Sequence, residues 1–260
     1  MTNRSLLYFA LLLMLAGPAR ADCSAGTGPA RNALLELYTS EGCSSCPPAE
    51  RWLSGLRDQG GGAKRRVPLA FHVDYWNQLG WVDRYARAEY SARQRWLAGV
   101  SGARTVYTPQ FMLDGRDWPS WRSGLPEARD DRAAGAEIRL ELGPIEDGRL
   151  AVGGEAGLRI RRDGARLFLA LYENNLSSRI EAGENAGRVL RHDFVVRRLL
   201  GPIRLADSGS MPIRQVFDLD AGWKRTDMGV AAFIQDIGTG EVYQALGVSA
   251  CGGPARPGSR

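Results

Sequence analysis

The stretch Leu34–Glu50, LLELYTSEGCSSCPPAE, decides the fold. Leu34, Leu35, Leu37 and Tyr38 form an apolar run broken only by Glu36. That is the pattern of a strand covered on both faces, as in a parallel sheet. Thr39, Ser40, Glu41 and Gly42 supply turn chemistry. Cys43 and Cys46 follow at CxxC spacing, then Pro47 and Pro48. Proline is welcome at the first helical position, where its missing N–H costs nothing. The regular helix is therefore expected to begin near Pro47, with Cys46 at or near the N-cap and Cys43 one turn earlier. Trp52, Leu53 and Leu56 give this helix one apolar face, and Gly60–Gly62 end it.

A strand that hands two close cysteines to a helix N-terminus is the layout of a dithiol redox site. Unpartnered amides at a helix start favour a thiolate, and the thiolate is the attacking species in disulfide exchange. The same spacing also fits an inert disulfide bracing the turn, or half of a soft-metal site. No second CxxC or histidine pair completes a structural zinc site. No resident metal or cofactor is expected.

Outward toward the N-terminus, Arg4, the apolar run Leu6–Leu15 and the small residues Ala19 and Ala21 read as a secretory signal peptide over residues 1–21. The run is too short for a membrane span. The expected location is periplasmic or secreted, with no stable membrane anchor. The chain has 260 residues and a net charge of +5, which falls to +3 when Arg4 and Arg20 leave with the leader. The arginines form no basic cluster, so no nucleic-acid partner is expected. All four cysteines, Cys23, Cys43, Cys46 and Cys251, lie beyond the leader. An oxidising compartment favours disulfides. With Cys43 and Cys46 as one pair, Cys23 and Cys251 are left near the two ends. Chain ends often lie close together, so a Cys23–Cys251 structural disulfide is the favoured pairing and two free thiols the alternative.

Outward toward the C-terminus, Val67–Val73 reads as a second buried strand, giving a right-handed βαβ unit with a parallel pair. Active groups of open parallel sheets gather at the carboxyl ends of strands. Asp74, Tyr75 and Trp76 are thus candidates to line the cysteine site. The competing reading makes His72 a packed, hydrogen-bonded strand residue, and makes Tyr75, Trp76 and Trp81 packing residues. Asp83 is expected to cap a helix running to Ala98. Pro109 precedes a strand at Gln110–Leu113, Asp114-Gly115 signals a hairpin, Trp118 falls in a short returning strand, and Ser120–Ala134 is a weaker helix. Near Gly135 the composition changes. Short strands separated by glycine-rich turns then dominate: 137–142, 158–162, 166–173, 194–199, 215–219, 229–236 and 242–248. They argue for an antiparallel sandwich. Two domains are expected, 22–135 and 136–260. Asn174–Asp193 is the densest polar stretch of the second, either a loop facing the first domain or a solvated connection.

The order strand, CxxC helix, strand, helix, Thr-Pro strand, hairpin and helix resembles a thioredoxin-like domain. The Cys43–Cys46 pair resembles the thioredoxin-type motif, and Thr108-Pro109 resembles that fold's cis-proline. In that family the proline packs beside the dithiol and offers backbone groups to an extended substrate, so Thr108 and Pro109 join Asp74, Tyr75 and Trp76 as expected substrate-binding residues. More closely, the chain resembles a secreted bacterial family of unassigned function, domain-of-unknown-function family 1223. The residues that carry this are ELYTSEGCSSCPPAE at Glu36–Glu50, HVDYWNQLGW at His72–Trp81, YTPQ at Tyr107–Gln110 and GENAGRVLRHDFVVR at Gly183–Arg197. The resemblance implies an α/β thioredoxin-like domain followed by an antiparallel β-sandwich-like domain, and export. It implies no reaction.

The chain departs from ordinary thioredoxins. Glu41 and Gly42, not a tryptophan, precede Cys43. No proline separates the cysteines. A helix at Asp83–Ala98 is inserted before Pro109. By the thioredoxin pattern Cys43 attacks and Cys46 resolves, whereas the helix register gives Cys46 the N-cap position. The expected activity is thiol–disulfide exchange by Cys43 and Cys46 on protein thiols, a redox partner protein or small thiols. The alternatives are a non-catalytic exported scaffold, and a copper(I)-handling module in which His72 joins the two sulfurs.

Overall fold

The computed structural model describes residues 23–58, 65–103, 105–125, 134–206 and 209–250. Strands dominate it, in several sheets, with two α-helices among the described residues. β1 is Ser24–Gly26 and β2 is Ala33–Thr39. The helix α1, Pro47–Asp58, starts at the first of the two prolines, as the register argument requires. β3, Arg66–His72, pairs parallel to β2 from Ala33↔Arg66 to Thr39↔His72. α2 is Ala88–Val100. β4, Gln110–Leu113, runs antiparallel to β2, and β5, Arg116–Asp117, returns from it. The turn between them has Asp114 and Gly115 both at positive φ, 52° and 80°. Only glycine fits at the second position: a Cβ there would stand 1.9 Å from the Gly240 carbonyl oxygen.

The later strands are β6 (Ala136–Glu146), β7 (Arg149–Leu158), β8 (Ala165–Glu173), β9 (Leu176–Arg179), β10 (Val189–His192), β11 (Val195–Arg204), β12 (Ser210–Asp218), β13 (Met228–Asp236) and β14 (Val242–Ser249). β1, β6, β7 and β12 form a four-stranded sheet, and β9 and β10 form a hairpin. The remaining strands make one eight-stranded sheet in the order β14-β13-β8-β11-β3-β2-β4-β5. β11 joins β3 in parallel at Val195↔Ala70. The sheet therefore runs across the boundary expected at residue 135.

Its two faces build two cores, and β8 shows how. Phe168, Ala170 and Tyr172 point to the core that holds α1 and α2 residues, while Leu167, Leu169 and Leu171 point to the core shared with the four-stranded sheet. Side chains that alternate along a strand produce this division. On the α1 side, Trp52 packs against Phe111, Trp118 and Trp121, with ring centroids 5.1–5.9 Å apart.

Three expectations need correction. α2 begins at Ala88, not after Asp83, and its N-cap residue is Arg87, which makes no side-chain cap bond. Asp83 is drawn instead into a buried hydrogen bond with His72. The expected helix at Ser120–Ala134 is a short 3₁₀ turn over Pro119–Ser123, beyond which residues 126–133 lie outside the described residues. Trp118 follows β5 rather than lying in it, although its amide still bonds the Phe111 carbonyl at 2.8 Å. The signal peptide at 1–21 and Cys251 also lie outside the described residues, and with Cys251 the Cys23–Cys251 clasp. Among the described residues no helix is long and apolar enough to cross a membrane.

Candidate functional site

β2 ends at Thr39, and the chain turns through Ser40–Gly42 to reach the cysteines. Cys43 and Cys46 are joined in a disulfide, with their Cα atoms 5.4 Å apart. Cys46 immediately precedes α1, so the bond sits at a helix N-terminus. Ser44 and Ser45 between the cysteines are exposed, but both cysteines have 0% of their surface accessible. The Ser45 hydroxyl lies 3.4 Å from the Cys43 sulfur.

Part of the cover comes from the turn of the β9–β10 hairpin. Asn185 donates from Nδ2 to the carbonyls of Glu41 (2.8 Å) and Cys43 (2.9 Å). The Glu184 carboxylate accepts from the Ser44 amide at 2.9 Å. The Ser44 hydroxyl and amide together hold the exposed Glu184 carboxyl below its ordinary pKa. The polar stretch Asn174–Asp193 is thus a hairpin whose turn faces the cysteine loop.

The other expected site residues divide. Trp76 bridges the cysteine loop and the Thr108-Pro109 segment: its Nε1 donates to Thr108 Oγ1 at 2.8 Å, and a Cβ at Gly42 would stand 3.2 Å from its own Cβ. The Thr108-Pro109 peptide is cis. Asp74 and Tyr75 turn toward α2 instead. Asp74 accepts from the Ser91 hydroxyl, and the Tyr75 hydroxyl donates to Gln94 Oε1 at 3.1 Å.

Beside the disulfide lies a buried cluster of charge. Glu50, on α1, is one turn beyond Cys46, and its amide bonds the Cys46 carbonyl at 3.1 Å. Its carboxylate accepts from Thr39 Oγ1 at 2.5 Å and from His192 Nδ1, on β10, at 2.6 Å. Glu41 Oε1 stands 3.3 Å from His192 Nε2, while Glu41 Oε2 accepts from Trp81 Nε1 at 2.8 Å. His72, at the end of β3, donates from Nδ1 to Asp83 Oδ2 at 2.6 Å. Asp83 also accepts from the amides of Glu41 (2.8 Å) and Tyr85 (2.9 Å). The two imidazole rings meet edge to face, their centroids 5.1 Å apart.

Burial and pairing pull these groups in opposite directions. Burial pushes His192 down, but the Glu50 and Glu41 carboxylates outweigh it and hold the imidazole well above its ordinary pKa. Burial pushes Glu50 up, but the His192 charge and hydrogen bond bring it below the usual carboxylate value. Asp83 is likewise lowered, burial being outweighed by His72 and by two amide bonds.

Of this cluster, sequence reading weighed His72 alone, as the third ligand of the copper(I) alternative; it gave Asp83 only a helix-capping role and missed Glu41, Glu50 and His192. A signal was present. The chain has only two histidines, one at a strand's carboxyl end and the other inside the GENAGRVLRHDFVVR stretch.

With this geometry in view, the comparisons are informative about family and fold. Residues 34–235 match the family described as "Protein of unknown function (DUF1223)". The chain belongs to this family. The matched span takes in the cysteine pair, both histidines and the β9–β10 turn. No curated protein matches the chain. Among solved structures, a structural-genomics protein from Agrobacterium tumefaciens is 22% identical, with a TM-score of 0.60 over 90% of this chain and 100% of that one. HBP35 of Porphyromonas gingivalis is 17% identical, with a TM-score of 0.64 over 90% of this chain and 79% of that one. These likenesses concern the fold alone.

Proposed function

We propose that this DUF1223 protein is an exported thiol–disulfide oxidoreductase whose Cys43–Cys46 bond works beneath a movable polar cover. The observation that carries this reading is a disulfide at the N-terminus of α1 whose loop is tied to the β9–β10 turn by three hydrogen bonds. The thioredoxin-like reading of β2, α1, β3, β4 and β5 supports it, with Thr108 and Pro109 tied to the cysteine loop through Trp76. Export rests on the leader-like residues 1–21.

A thiolate of a partner dithiol attacks Cys43 Sγ, the Cys43–Cys46 bond breaks, and Cys46 leaves as a thiolate that takes up a proton. The partner's second thiolate then attacks the partner sulfur of the mixed disulfide and releases Cys43. Two electrons pass from partner to protein, and the reverse sequence reduces a partner disulfide. Cys43 is the better target because its sulfur adjoins the exposed Ser45 hydroxyl. In this reading Thr108 and Pro109 hold the partner's chain by strand addition, with Trp76 tying them to the cysteine loop.

The complete burial of both cysteines favours a second reading, in which the disulfide is an inert brace in an exported scaffold. The reduction potential of the couple separates the two. Structural disulfides lie below about −300 mV and catalytic ones above it. A potential above that value, with Cys46→Ala accumulating mixed disulfides through Cys43, is the expected result. A lower value, with no mixed disulfide trapped, assigns the bond to the scaffold. The copper(I) alternative needs free thiolates beside His72, and His72 is instead grouped with nitrogen and oxygen donors.

A further inference from the structure

The buried cluster beneath the cysteine loop has a charge problem that its own residues do not solve. It contains three carboxylates, Glu41, Glu50 and Asp83, and two imidazoles, all within 5% of full burial. Even with both histidines protonated, one negative charge is in excess. Buried charge without a partner is costly. Three polar atoms in the cluster are also buried without a hydrogen-bond partner: His72 Nε2, His192 Nε2 and Glu41 Oε1. Glu41 Oε1 and His192 Nε2 approach to 3.3 Å, but not with the alignment of a hydrogen bond.

The histidines are already oriented as ligands would be. Each gives its Nδ1–H to a carboxylate, His72 to Asp83 and His192 to Glu50. At His72 that arrangement fixes the tautomer and leaves Nε2 with a free lone pair, which is how carboxylates support metal-bound histidines; at His192 a cation would take the place of the Nδ1 proton between the ring and Glu50, with Nε2 facing Glu41 Oε1 at 3.3 Å. Glu50, His72 and His192 each offer one donor atom, and these atoms lie within 4.8 Å of one another. Zinc bonds of ~2.0–2.1 Å would put tetrahedral donors roughly 3.3 Å apart. Side-chain shifts of about an ångström would close the gap.

We propose that Glu50, His72 and His192 form a binding site for a zinc-class divalent cation, with Glu41 acting through His192 Nε2. Two imidazoles and a carboxylate suit a borderline transition ion rather than magnesium or calcium, which take oxygen ligands. Asp83 is a positioning residue, acting through His72. The site draws on α1, β3 and β10, so a bound cation would pin the β9–β10 hairpin to the cysteine-bearing half. This inference does not rest on the redox reading.

The test is a titration of the chelator-treated, oxidised full-length chain with Co²⁺ and with Zn²⁺. With the disulfide intact, neither cysteine can supply a thiolate, so binding reports the nitrogen and oxygen donors. One equivalent of cobalt with visible d–d bands is expected, together with a rise in Tm on adding zinc. His192→Gln should abolish the bands. Asp83→Asn should weaken zinc binding by about 10–100-fold, the usual size of such a second-layer loss. Circular dichroism checks that each variant folds. If a variant does not fold, the wild-type Tm response and cobalt spectrum decide. A wild-type chain that shows neither d–d bands nor a Tm rise overturns the proposal, as does a folded His192→Gln that binds cobalt as tightly as wild type.

Discussion

Two buried charge clusters lie against β2, and they are built differently. In the first, Arg93 on α2 gives its Nε–H to Glu36 at 2.7 Å and an Nη2–H to Gln235 Oε1 on β13 at 2.7 Å. The Tyr38 hydroxyl also donates to Glu36, at 3.1 Å. The Phe71, Phe168 and Phe233 rings lie 5.1–5.7 Å from the guanidinium. One cation meets one anion among aromatic faces, and the cluster is neutral. Burial pushes the Tyr38 hydroxyl well above its ordinary pKa, with Glu36 adding to it, so Tyr38 stays a neutral donor. In the second cluster, three carboxylates meet two imidazoles under a polar turn, and the sum is negative. The first is arranged to join α2, β2 and β13 across the sheet. The second is arranged to respond to protons, to a cation, or to movement of its cover.

The largest effect should come from breaking the balanced cluster. Arg93→Ala leaves Glu36 buried and uncompensated, and removing one partner of a buried pair costs about 3–5 kcal/mol. Urea unfolding should show that loss, with no change in cobalt binding at the other cluster. Replacing both partners, as in Glu36→Leu with Arg93→Met, should recover most of it, because apolar pairs of similar volume are often neutral or stabilising. A double variant as unstable as Arg93→Ala would mean that the polar contacts to Tyr38 and Gln235 matter more than charge balance.

Removing the cover should have the next effect, and only on the second cluster's side. Asn185→Ala deletes two buried hydrogen bonds to backbone carbonyls, a loss of about 1–3 kcal/mol. The rate at which dithiothreitol reduces Cys43–Cys46 should rise by about tenfold, because the cover opens more often. Equal rates in wild type and Asn185→Ala would show that the turn does not limit access to the bond.

The sequence was legible where chemistry is local. Two prolines marked the start of α1, the apolar runs marked β2 and β3, and Asp114-Gly115 marked its hairpin, because each signal depends on a few adjacent residues. The pairing of β11 with β3 was not legible. Nothing in VVRR or VPLAF says that these strands, over a hundred positions apart, lie side by side, since both are merely apolar and both occur next to turns. Asp83 misled for a related reason. An aspartate before a helical pattern is an N-cap by local logic, but a buried imidazole and two amides outbid the helix start. Nothing adjacent to Glu36 or Glu50 marks them as buried charges, and only their long-range partners, Arg93 and His192, make their burial tolerable. The site is assembled across the chain, so its members carried little local mark.

The smallest effect is the most specific to the negative cluster: the pH dependence of stability in the chelator-treated chain. His192 is held above its unfolded pKa of about 6.5. Its contribution is therefore complete below about pH 6.5 and is lost as pH rises from there through the folded value, because over that window the folded chain holds the extra proton. Glu50 and Asp83 are held below their unfolded values. Their contributions are present above about pH 4 and are lost as pH falls through the folded values. Stability of the cation-free chain should thus be greatest between about pH 4.5 and 6.5. On the alkaline side it should decline at up to about 1.4 kcal/mol per pH unit, the limit for one proton. Urea titrations across pH 5–9 check this, and His192→Gln should flatten the alkaline slope while Arg93→Ala, which touches only the neutral cluster, leaves it unchanged. A wild-type curve level above pH 6.5 would mean that His192 enters the fold uncharged, and the contrast between the two clusters would then shrink to a difference in geometry.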